Sequence, residues 1–106
     1  MLPKKYRLPT NQVLPIIRFG SRKFSGNLKV SFKQNNLGVS RFTIIISKKA
    51  GKLAVTRNRN KRVISASIYR NIPRMSAGFD CVIQVIQDCS KISPEEVDKQ
   101  TCSLFT

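Results

Sequence analysis

The sequence predicts a small α+β domain, two layers deep, with a mixed central sheet and elements in the order α-β-β-α-β-α. Three observations carry this. Apolar and polar residues alternate over 28–33, where Leu28, Val30 and Phe32 interleave with Lys29, Ser31 and Lys33. Two β-branched runs, 41–47 and 80–86, read as buried strands. Between them Ile64, Ile68 and Ile72 recur four apart, the spacing of one helix face. With 106 residues, 41% of them apolar, the chain holds one core and no linker, so residues 1–106 form a single domain.

Residues 1–9 (MLPKKYRLP) are basic and interrupted by two prolines, which predicts an extended arm. Thr10 is a candidate N-cap for a helix over 11–19 with Val13, Leu14, Ile16 and Ile17 on its apolar side, although Pro15 removes a backbone donor. Gly20 ends it. After the strand from Leu28, Gln34-Asn35-Asn36-Leu37-Gly38 is turn chemistry, so that strand is expected to pair antiparallel with 41–47. The latter, apolar on both faces near its end, is expected to be central. Ala50-Gly51-Lys52 breaks the strand, and a helix follows from Leu53 or Ala54 to Tyr69 or Arg70, with Val63 and Ala66 beside its isoleucines. Its N-terminal turns carry cations nearly all round and should project beyond the body. Pro73, Ser76 and Gly78 form the exit loop. The strand 80–86 then lies parallel to 41–47, as a βαβ unit requires. Ser93-Pro94-Glu95-Glu96 starts a final helix, with a serine cap, proline in the first turn and acids at the positive pole. Val97, Leu104 and Phe105 are its core face.

Charge is distributed unevenly. Of 20 Lys and Arg against five acids, eighteen cations fall in residues 1–79, which contain no acid, while 80–106 sum to −3. A chain so charged repels itself and implies a polyanionic partner. No stretch reads as membrane-spanning or as an amphipathic surface helix, so nucleic acid is the expected partner rather than a lipid surface. The N-terminus lacks the apolar run of a secretory signal, and a cytoplasmic location is expected. Cys81, Cys89 and Cys102 are odd in number, have no histidine to complete a zinc set, and read as free thiols in a reducing compartment.

Catalytic chemistry is sparse. A nuclease acting alone would need carboxylates for metal or an acid–base pair, yet all five acids lie in the last 27 residues and histidine is absent. Asp80 reads as a strand-entry cap, and Gly51-Lys52 lacks the glycine spacing of a nucleotide-binding loop. What the chain offers instead is KKAGKLAVTRNRNKR, residues 48–62, with Lys48, Lys49, Lys52, Arg57, Arg59, Lys61 and Arg62 and no counter-charge. Arginine forks grip phosphate and stack on bases, Asn58 can donate and accept, and a helix start adds amide donors.

This stretch resembles the RNR signature of the protein subunit of bacterial ribonuclease P. The resemblance runs in order through Arg7-Leu8, Gly20, Ser47-Lys48-Lys49, Gly51-Lys52, Ala54-Val55, Arg57-Asn58-Arg59, Lys61-Arg62 and Asp80, and spans about 7–105. It implies a left-handed βαβ crossover, against the general rule. It further implies a ribonucleoprotein endonuclease whose catalytic agent is a separate RNA, with Mg2+ at the RNA active site and no cofactor, metal or small-molecule substrate on the protein. Lys48, Lys49, Lys52, Arg57, Asn58, Arg59, Lys61 and Arg62 would contact RNA. The 5′ leader of precursor tRNA would lie in a cleft between the sheet and the first helix.

The chain departs from the family pattern in several places. One extra residue separates Gly51 from Arg57, Ser65 and Ala66 replace a frequent Arg-Glu, and no arginine follows Ile86. Val13 and Ile17 stand where aromatics often line the leader cleft, which leaves Phe19, Phe32 and Phe42 to supply stacking. The rival readings are a structural, ribosomal-protein-like RNA binder without a processing role, and an autonomous nuclease.

Overall fold

The computed structural model describes residues 3–74 and 78–105. Helix α1 (Val13–Phe19) is followed by strands β1 (Ser21–Ser25), β2 (Leu28–Gln34) and β3 (Arg41–Ile46), helix α2 (Ala54–Asn71), strand β4 (Phe79–Val85) and helix α3 (Pro94–Phe105). The strands form one mixed sheet in the order β1-β2-β4-β3. β4 pairs antiparallel with β2 (Val30 opposite Ile83) and parallel with β3 (Ile44 opposite Ile83). The expected βαβ unit is therefore present, as β3-α2-β4.

Two expectations about the sheet are corrected. β2 and β3 do not pair; β4 lies between them. Of the two apolar strands, β4 gains more from the centre because every residue from Asp80 to Ile83 is buried. β3 takes the edge instead, and its open side is covered by the N-terminal arm, where Arg7 bridges Phe42 and the Leu8 amide donates to the Phe42 carbonyl at 2.9 Å. That arm is not wholly extended, since residues Lys4–Tyr6 make a 3-10 turn.

Strand β1 is an addition to the expected order. Its burial is slight, so no apolar alternation marks it. The signal lay in the Gly26-Asn27 turn, closed by the Ser25–Leu28 pair, with Gly26 at φ 56°. A two-residue glycine-first loop is a hairpin connection. Gly20 ends α1 as expected, and does so in an extended conformation (φ −78°, ψ 166°). It is needed for proximity: a Cβ there would lie 2.6 Å from the carbonyl oxygens of both Ile16 and Phe32. Thr10 opens a 3-10 turn, Thr10–Gln12, rather than capping α1 itself.

Strand parity divides the core. Leu28, Val30, Phe42, Ile46, Cys81, Ile83 and Val85 face α2 and α3, meeting Ile64, Ile68, Val97 and Leu104. On the opposite face, Val82 packs with Ile16 of α1 and Leu8 of the arm, joined by the half-buried Val13, Ile17 and Ile45. Two helices thus cover one face and α1 adds a partial third layer. Ala66, expected among the core contacts of α2, is exposed, whereas Ser67 beside it is fully buried. Ser67 Oγ donates to Asp98 at 2.7 Å, so the α2–α3 contact is polar as well as apolar. The Ser93 cap is as expected, accepting from the Glu96 amide at 3.2 Å. Ser76 and the Phe105 side chain lie outside the described residues.

Asp80 is the cap its position suggested, and more. Both its carboxylate oxygens take the Arg41 guanidinium at 2.8 Å, and Asn35 Nδ2 donates to Oδ1 at 2.8 Å, tying β2, β3 and β4 at one end. Burial pushes its acidity the other way, but these donors outweigh it and hold the carboxyl below the usual range. Asp98 is also held low, chiefly by Arg70, against burial and with help from Ser67; Asp88 is held low chiefly by Ser90. Depressed carboxyls stabilise the fold above their unfolded value, near 4, and that contribution is lost as pH falls through the folded values. Thermal unfolding is therefore expected at progressively lower temperature as pH falls below about 4. Asp80→Asn should be less stable at neutral pH by about 2 kcal/mol and show a shallower acid limb. Superimposable acid limbs for variant and parent would refute the assignment.

Candidate nucleic-acid interface

The turn after β3 is built to expose lysine. Ser47 accepts from the amides of Ala50 (3.1 Å) and Gly51 (3.2 Å), and Ala50 is buried in the core. The chain is thereby turned so that Lys48, Lys49 and Lys52 are exposed. Gly51 is buried against the start of α2: a Cβ there would meet Arg57 Cγ at 2.9 Å and the Arg57 nitrogen at 3.3 Å. Glycine lets the turn and the arginine stem pack together, so Gly51 sets where Arg57 leaves the body.

Helix α2 opens without help from a side chain. Leu53 occupies the cap position in extended conformation and makes no side-chain cap bond, and the first turn has no acid. Its first amides are left to solvent or an anion. Arg57, Asn58, Arg59 and Arg62 are exposed and Lys61 half-buried, and Arg57 closes the first turn, where a helix is already positive. Cations there raise the energy of the isolated protein and lower that of an anion complex. All eight sequence-predicted residues therefore lie on the 47–53 turn and the first half of α2, seven of them exposed and Lys61 half-buried.

These turns do not project beyond the body, contrary to expectation. Asn60, in the middle of the RNRNKR run, is fully buried. Its Nδ2 donates to the Thr56 carbonyl at 2.9 Å and to Asp88 Oδ1 at 3.1 Å, and its Oδ1 accepts the Cys89 amide at 2.7 Å. Asp88 is in turn held by the Ser90 amide (2.8 Å) and hydroxyl (2.6 Å), and its carbonyl accepts from Asn27 at 3.1 Å. The charged half of α2 is thus moored to the loop between β4 and α3. Sequence reasoning missed this residue because an asparagine among arginines reads as another polar contact. The available signal was its spacing, four before Ile64 on the buried face.

The leader-cleft candidates separate. Phe42 is 2% exposed, and Phe32 packs edge-on to Phe79 at 5.9 Å; both project from the sheet face under α2 and α3. Strand parity puts them on the side away from α1, so neither lines a cleft between α1 and the sheet. Val13 and Ile17 are on the α1 side but half-buried against Ile16 and Val82. Phe19, 78% exposed at the end of α1, keeps an open ring. One aromatic was overlooked: Phe24 of β1 is 64% exposed, pairs with Lys29 in register, and has the Lys29 ammonium 5.6 Å from its ring centroid. Lys29 lies beside Gln84, and Gln84 beside Ile45, giving an aromatic, basic and polar row across the sheet.

Among the described residues no three cysteines or acids cluster as a metal site would require, and no helix is long and apolar enough to cross a membrane. Cys81 and Cys89 are buried free thiols, pushed up by burial to about 12 and about 11, and are inert at neutral pH.

Fold and surface together define a small α+β domain that presents an uncompensated basic turn-and-helix surface suited to a polyanion. The chain belongs to the Ribonuclease P family, whose profile matches residues 2–106. It is 32% identical over 100 residues to the ribonuclease P protein component of Pseudanabaena sp., covering 92% of this chain and 85% of that one. It is 35% identical over 89 residues to that of Synechococcus elongatus, covering 79% and 73%. Its fold is similar to the RNase P protein from Thermotoga maritima, with TM-score 0.83 and 26% identity over 93% of this chain and 94% of that one.

Proposed function

We propose that the chain is the protein subunit of ribonuclease P, binding a catalytic RNA and the 5′ leader of precursor tRNA so that the leader is removed and the tRNA 5′ end matured. The carrying observation is the uncompensated cation surface of Lys48, Lys49, Lys52, Arg57, Arg59, Lys61 and Arg62 in a chain that belongs to this family. In this reading the protein supplies no catalytic residue. Its cations neutralise phosphates and orient the RNA, while magnesium at the RNA active site supplies the hydrolytic chemistry. The exposed Phe19 and the Phe24–Lys29 pair replace Phe32 and Phe42 as the stacking groups for the leader. The working location is the cytoplasm, where tRNA precursors are made.

Reconstitution tests this. Purified protein added to its catalytic RNA and precursor tRNA at low magnesium should accelerate leader cleavage, whereas protein with precursor and magnesium alone should leave the substrate intact. Binding without acceleration would identify a structural RNA binder; cleavage by the protein alone would identify an autonomous nuclease.

Arg59→Ala should weaken binding to the catalytic RNA by about 1–3 kcal/mol and make the salt slope shallower by about one. Arg59 is exposed and outside the Ile64–Ile68 core, so the unfolding temperature should not change. Equal affinities of variant and parent would remove Arg59 from the interface.

A further inference from the structure

The N-terminal arm and the outer face of α2 meet in an aromatic pair that the cation surface does not include. Tyr69 on α2 is 57% exposed, and its ring centroid lies 6.4 Å from that of Tyr6, with the planes inclined at 51°. Tyr6 is half-buried against the main core, so its ring is fixed, while Tyr69 leans on it and keeps a face to solvent. The Lys5 ammonium stands 4.9 Å from the Tyr6 centroid. Lys4 and Lys5 are exposed beside it, and Arg62 and Asn58 precede Tyr69 by seven and eleven residues, which places all three on one side of α2. Seven residues are about 10 Å along a helix, within the reach of two nucleotides.

We propose that Tyr6 and Tyr69 form a stacking platform for an unpaired RNA base, with Arg62 and Lys5 taking the flanking phosphates. The assignment rests on the RNA-binding reading above and adds a second contact surface to it, on the arm side of α2. Three physical features favour an RNA base as the occupant. A tyrosine on a helix surface leaves costly apolar area in water, which a stacked base would cover. The charged groups placed beside the pair here, Lys4, Lys5 and Arg62, are all cations, so an apolar protein segment without acids would gain nothing from them. Tyr69, 57% exposed while it leans on the half-buried Tyr6, still offers ring surface that a base could cover.

The chain contains two tyrosines and no tryptophan, so its tyrosine-band emission, excited beyond the absorption of phenylalanine, arises wholly from this pair. The experiment titrates the full chain with a nonamer of adenosine ribonucleotides and with an abasic ribose-phosphate nonamer of equal charge, following inner-filter-corrected tyrosine emission and, separately, affinity by filter binding. The base-containing RNA should quench the emission strongly and the abasic one should not. Tyr69→Leu should weaken the adenosine nonamer by about five- to tenfold and leave the abasic nonamer unchanged. Tyr69→Phe, which keeps the ring, should bind like the parent and shows that the loss is one of stacking. If the adenosine nonamer binds without quenching, or Tyr69→Leu weakens both nonamers equally, the pair only pins the arm and the platform is overturned while RNA binding stands. Failure of the parent to bind either nonamer would overturn the RNA-binding reading beneath it.

Discussion

Asn60→Ala is expected to destabilise the domain by about 2–4 kcal/mol, the largest effect of any single change within the RNRNKR run. The side chain is fully buried and makes three hydrogen bonds, of which the 2.7 Å bond from the Cys89 amide has no substitute. Alanine leaves that buried amide without its acceptor, which alone costs about 1–3 kcal/mol, and opens a small void. For a chain of this size, each kcal/mol is about 4–8 °C in unfolding temperature, so a fall of roughly 10–30 °C should be seen by calorimetry. Asn60→Asp separates hydrogen bonding from packing. It keeps the shape and the acceptor for Cys89, but sets a second carboxylate against Asp88 Oδ1 in place of the donor at 3.1 Å. That variant should be strongly destabilised at neutral pH and recover part of the difference in acid, where one of the pair is protonated. The parent moves the other way with pH. Both variants unfolding at the parent temperature would show that the mooring carries no stability.

Asn60 also shows why part of this protein was hidden in its sequence. The apolar strands and the Ile64–Ile68 face declared themselves by period, because burial of those side chains is independent of which partner does the burying. The cation surface was legible for a similar reason: seven like charges without an acid cannot be satisfied inside the chain. What stayed hidden depends on partners distant in sequence. Asn60 meets Cys89, and β4 enters between β2 and β3, through contacts distant in sequence, from 29 residues for Asn60–Cys89 to 57 for Leu28–Val85, that no local pattern encodes. β1 was missed because an exposed edge strand such as 21–25 needs no apolar face. Phe32 and Phe42 were misplaced because an aromatic ring looks the same whether it is core or cleft. Only strand parity, known once the helices are assigned to faces, tells them apart.

Binding to ribonuclease P RNA is expected to lose about two to three orders of magnitude between 50 and 200 mM monovalent salt. Seven cations stand on the 47–53 turn and the first half of α2, and among the described residues none of them has an acidic partner within ion-pair distance. The two ion pairs found there, Arg41–Asp80 and Arg70–Asp98, belong to other parts of the fold. If five or six of the seven meet phosphates, counterion release gives a slope of log affinity against log salt on the order of −4 to −5. Internal ion pairs would have to break before RNA could bind and would flatten that slope; their absence from this surface is what makes a steep one the expectation. The same surface predicts that Lys49→Ala and Arg62→Ala each make the slope shallower by about one, and the double variant by about two, because separated phosphate contacts release ions independently. Asp80→Asn supplies the control, since it alters stability at the far end of the sheet without touching the surface, and its slope should match the parent's. Slopes near zero for the parent, or a loss in Asp80→Asn equal to that in the surface variants, would mean that these cations are a solvated face rather than the site of RNA binding.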